Sequence, residues 1–78
     1  MTNEKREMNL TLVNLTIEQF DLAMCDRWSN DDYTRDRQIT LEINKLYKEY
    51  EEKFNEKPFV DNCPYIKDVY ALKKALSA

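Results

Sequence analysis

Nucleophilic catalysis needs an activated nucleophile with a general base beside it. This 78-residue chain has two cysteines, Cys25 and Cys63, and no histidine to activate either. Cys25 falls in an apolar-periodic stretch beside Met24 and reads as a small packing residue. Cys63 precedes Pro64 at the start of a helix, where the positive helix end lowers a thiol pKa; with no base at hand it also reads as structural. Glu42, Glu49, Glu52 and Glu56 lie within about 80° of one another on a helical wheel. Paired carboxylates bind cations or share protons, but Lys45 lies inside this stripe and Lys53 beside it, so a solvated, salt-bridged face is expected. Without histidine or a Cys-x-x-Cys pair no metal is expected. Without glycine the phosphate-cradling loops of nucleotide enzymes are excluded. The expectation is a chain that is not an enzyme and carries no cofactor.

The remaining chemistry is that of recognition. Arg27, Arg35 and Arg37 surround one junction, with Trp28 and Tyr33 interleaved. Arginines among stacking aromatics grip single-stranded nucleic acid and equally anchor protein interfaces. Asp26, Asp31, Asp32 and Asp36 share the stretch and cancel the field that phosphates require. A net charge of −3 points the same way. A protein partner is therefore expected over nucleic acid, through Arg27, Trp28, Tyr33, Arg35, Arg37, an outward-facing Leu41, or the acidic residues Glu42, Glu49 and Glu52. The alternative is a small DNA-binding regulator acting as a dimer.

These residues need elements to hold them. Residues 1–7 are charged and read as a frayed end, and Leu10 and Leu12 alternate with polar or β-branched neighbours as in a short extended arm. Residues 1–15 are thus expected to be an arm, and 16–78 the folded domain. Thr16 and Gln19 form a capping-box pattern, with Leu15 and Phe20 as a staple, opening a first helix over about 17–28. Ser29-Asn30-Asp31-Asp32 supplies caps and first-turn acids for a second helix over about 32–55. Its residues Ile39, Ile43, Leu46, Tyr47, Tyr50 and Phe54 fall on one face. Lys57-Pro58 stops it, and Pro64 opens a third helix whose inward stripe is Ile66, Val69, Leu72 and Leu76. The fold class expected is all-α, a small three-helix domain with a long middle helix and a short extended arm before the first.

Size sets the last constraint. In so small a domain the apolar burial and the ordering entropy nearly cancel, so self-association or a partner is expected to add burial. A homodimer fits that need. The apolar residues are too scattered for a membrane span, and the absence of a signal-like start suggests a cytoplasmic protein with reduced cysteines. No family resemblance attaches to any stretch. The small acidic composition, rich in Asn, Lys, Glu and Tyr, is similar in kind to phage and mobile-element proteins that inhibit host machinery or defence nucleases such as those of CRISPR systems.

Overall fold

The computed structural model describes residues 2–78 as three helices: α1 (Asn3–Ala23), α2 (Asn30–Phe54) and α3 (Ile66–Ser77), with a 3-10 turn (Phe59–Asn62) before the last. The all-α class and the long middle helix of 25 residues match the sequence pattern. The extended arm does not: residues 3–15 are the first half of α1. Thr2 is the cap, its Oγ1 accepting the Lys5 N–H at 3.2 Å. Thr16, expected to cap, lies within the helix and donates its hydroxyl to the Leu12 carbonyl at 2.7 Å, as Thr11 does to Glu7 at 2.9 Å. Such back-bonding lets threonine sit inside a helix.

The helix also ends sooner than its apolar spacing suggested. Ala23 is its last residue, which leaves Cys25 exposed beyond the helix rather than packed within it. Phe20, expected as half of the staple, and Met24, in the apolar-periodic stretch, are both exposed.

Both α2 and α3 pack on α1, and their own backbones do not come into close contact. The α1–α2 pair is antiparallel, as its hydrogen bonds show: Asn9 meets Tyr50, and Gln19 meets Asp36 and Thr40. On another side of α1, the Arg6 guanidinium donates to the carbonyls of Leu76 (2.6 Å) and Ala78 (3.3 Å). A cation here satisfies the bare carbonyls at the negative end of α3. Residues expected to fray therefore tie the first helix to the last.

A core of Leu12, Val13, Ile17, Val60, Val69 and Leu76 forms between α1, the 3-10 turn and α3, with Ile43, Leu46 and Tyr47 packed against it from α2. Being covered from two sides, α1 needs apolar residues on two faces. Its hydrophobic pattern is blurred for that reason, whereas α2 and α3, each packed on one side, keep a clean stripe.

The junctions follow from local chemistry. Ser29 and Asp32 form a reciprocal capping box at the start of α2. Asn55 closes that helix in the left-handed region at φ 55°, a task that asparagine takes in a chain with no glycine.

One polar residue lies in this interior. Asn9, 1% exposed, uses its whole amide: Nδ2 donates to the Lys5 carbonyl (2.9 Å) and the Tyr50 hydroxyl (3.0 Å), and Oδ1 accepts the Phe59 N–H (2.8 Å). Removing it strands the buried Tyr50 hydroxyl and the Phe59 N–H. Asn9→Ala is expected to cost about 2–4 kcal/mol. The exposed Asn14→Ala, within the same helix, should stay within about 0.5 kcal/mol of the parent. Urea unfolding of the two variants checks this; equal midpoints would show that the network contributes nothing.

Candidate protein-binding surface

The turn between α1 and α2 is built around Trp28. Its half-buried indole donates Nε1–H at 2.7 Å to the Leu22 carbonyl, which also accepts the Cys25 N–H at 3.1 Å, so the ring is tied to the last turn of α1. Tyr33 stands edge-on against it, with centroids 5.0 Å apart and planes at 70°. This edge-to-face contact holds the Tyr33 ring on a fixed base while 62% of the residue remains exposed. Trp28 thus anchors the corner, and Tyr33 is the aromatic it presents.

The three arginines do not form one cluster. Arg35 faces α1 and makes a two-pronged pair with Glu18, Nε to Oε2 at 2.5 Å and Nη2 to Oε1 at 2.7 Å. That hydrogen-bonded pair holds the Glu18 carboxyl below its ordinary range and raises the Arg35 guanidinium further. Arg37, two residues on and so about 200° around the helix, points to the other side of α2 and is exposed, as is Arg27 in the turn. Arg35 is thus engaged with α1 at a partly exposed pair, apart from Arg27 and Arg37.

What α2 does present is a stripe on the side away from α1. Tyr33, Arg37 and Leu41 follow one another at intervals of four residues and are all exposed, Leu41 by 63%. Glu42, Glu49 and Glu52 are exposed on the neighbouring flank. Glu49 and Glu52 also line an open cleft between α1 and α2 together with Glu4, Met8, Leu46 and Lys53. Glu4 and Met8 escape a sequence reading because they belong to residues 1–15, expected to be a frayed end and an extended arm. The pattern Thr2–Lys5, a hydroxyl followed by helix formers, is the signal that marks them as helical.

The cysteines are far from this surface in chemistry. Both are free thiols. Burial pushes the Cys63 thiol up, and Asp68 adds to the effect, opposite to the lowering that its place before a helix suggested. Among the described residues no group of His, Cys, Asp or Glu is disposed to hold a metal ion, and no helix is long and apolar enough to cross a membrane.

The fold thus defines a small all-α domain of three helices with an uncovered face on its longest helix. No family model matches the chain, and neither a curated protein nor a solved structure is significantly similar to it.

The Glu18–Arg35 pair gives a pH signature. A carboxyl whose pKa is lowered on folding stabilises the protein above its unfolded value, about 4.3, and loses that contribution as pH falls through the folded value. Glu18→Gln is therefore expected to melt below the parent at neutral pH, with the gap closing as the pH drops below about 4. Thermal melts of both proteins across this range test the sign. A gap that widens in acid contradicts it.

Proposed function

We propose that this chain is a non-catalytic protein-binding module that docks through the free face of α2. The observation that carries the reading is the exposed row of Tyr33, Arg37 and Leu41 on a helix whose opposite face packs on α1. An aromatic, an arginine and a leucine in one line are the residue types that fill a partner's pockets: the ring and the leucine give up apolar surface, and the guanidinium takes a carboxylate. Tyr33 loses little freedom on binding because Trp28 already orders it. The acidic composition and small size favour a host protein as target, with the chain acting as a phage or mobile-element inhibitor of host machinery such as a defence nuclease. Two free cysteines, one of them exposed, suit a reducing compartment such as the cytoplasm.

Affinity capture from host lysate followed by quantitative binding to the captured protein tests the reading. Leu41→Asp and the double variant Tyr33→Ala/Arg37→Glu are expected to lower affinity by about tenfold or more each while keeping the helical circular-dichroism spectrum; Leu41→Asp should also keep the melting temperature, whereas Tyr33→Ala gives up the contact with Trp28 and lowers it by a few degrees. If these substitutions leave affinity intact, the α2 face is not the docking surface. Capture of no partner at all in a native host would remove the function.

A further inference from the structure

The cleft between α1 and α2 has a composition of its own. Its floor is apolar, from Met8 of α1 and Leu46 of α2, and its outer wall carries Glu49 and Glu52. It encloses about 520 Å³ and takes none of its lining from α3. Leu46 lies about 140° around α2 from Leu41, so the cleft floor is a different surface from the Tyr33–Leu41 row; Glu52 of the wall shares the side of Leu41 but stands eleven residues, about 16 Å, further along. One end is closed by the Lys53–Glu4 ion pair. The two helices are next cross-linked on this flank at Glu18–Arg35, fourteen residues further along α1, or about 21 Å at the rise of an α-helix.

The lining carries more acid than base, Glu4, Glu49 and Glu52 against Lys53. Glu4 is neutralised by Lys53, but neither Glu49 nor Glu52 has an ion-pair partner among the described residues. Glu42, one heptad before Glu49, is exposed and extends the acidic edge; it lies near enough to Arg35 to favour that cation's charge. Two antiparallel helices with an apolar seam between them accept a third helix in the groove. The free carboxylates decide what that helix must carry.

We infer that the α1–α2 cleft docks a basic amphipathic helix of a protein partner. Its apolar stripe lies on Met8 and Leu46, and Lys or Arg residues along its edge pair with Glu49 and Glu52. The inference goes beyond the α2-face reading and has its own test, so either can fail alone.

The probe is a fluorescent synthetic 18-residue helix with leucines at heptad a and d positions and Lys/Arg at the flanking positions, titrated with the full chain by anisotropy. A second peptide replaces every flanking cation with Glu. The basic peptide is expected to bind about tenfold tighter or more, and to weaken as salt is added. Glu49→Lys/Glu52→Lys should lower its affinity about tenfold or more. Asp21→Lys/Asp26→Lys makes the same change in net charge outside the cleft and should leave affinity within about twofold. Met8→Asp should abolish binding, with circular dichroism reporting whether the fold persists. Equal loss in the two Lys double variants would reduce the effect to net charge and overturn the proposal. So would equal binding of the two peptides. Sedimentation without peptide covers a second copy as the occupant: a dimer dispersed by Glu49→Lys/Glu52→Lys would place this chain itself in the cleft and overturn a basic partner.

Discussion

The side-chain amide of Asn9 is where the three parts of this fold are registered against one another. It lies among apolar side chains and finds partners on its own helix, on α2 and on the 3-10 turn that leads to α3. An apolar contact at this point would tolerate sliding of one helix along another; an amide with fixed donors and an acceptor does not. Around it, Tyr50 is fully buried with its ring 4.7 Å from that of Phe54. Lys5 lies over the rings of Phe54 and Phe59 at 5.6 and 5.5 Å while pairing with Glu56. The start of α1, the end of α2 and the return segment are thus joined by one mixed polar and aromatic cluster.

That cluster also explains which parts of the fold the sequence discloses. The second and third helices are legible because each is packed along one side only and writes one stripe of apolar residues; Ile39, Val69 and Leu76 are buried where that stripe places them. The first helix is not legible in the same way. Leu10 and Leu12 alternate as in a strand only because the helix has to supply apolar contacts in two directions, toward α2 and toward α3. Asn9 looks like a polar position in a loop until Tyr50 and Phe59, some 40 and 50 residues on, are brought to it. Contacts so distant in the chain leave no local signature.

The recognition residues divide along the same line. Leu41 stands out in the sequence as the one apolar residue on the wrong side of α2, and it is indeed exposed. Tyr33 is also accessible, with Trp28 as its support rather than its companion at the surface. The arginines mislead because closeness in sequence is not closeness on a helix: Arg35 turns inward to Glu18, and Arg37 turns outward. The cleft could not be read at all from α2, since half its floor comes from Met8 in the stretch that lacked a helical pattern.

The separation of α2 from α3 bears on how the molecule comes apart. Their backbones do not come into close contact, so the antiparallel α1–α2 hairpin and the α1–α3 contact are separate structural interfaces that share one helix. The terminal segment can lift from α1 without breaking the Asn9–Tyr50 bond or the ion pairs of the hairpin. Sub-global opening of this kind is how small domains exchange buried amides below the cost of full unfolding. Because α1 makes both interfaces, and the core of Leu12, Val13 and Ile17 against Val69 and Leu76 fastens α3 to it, displacing α1 would release the other two helices together.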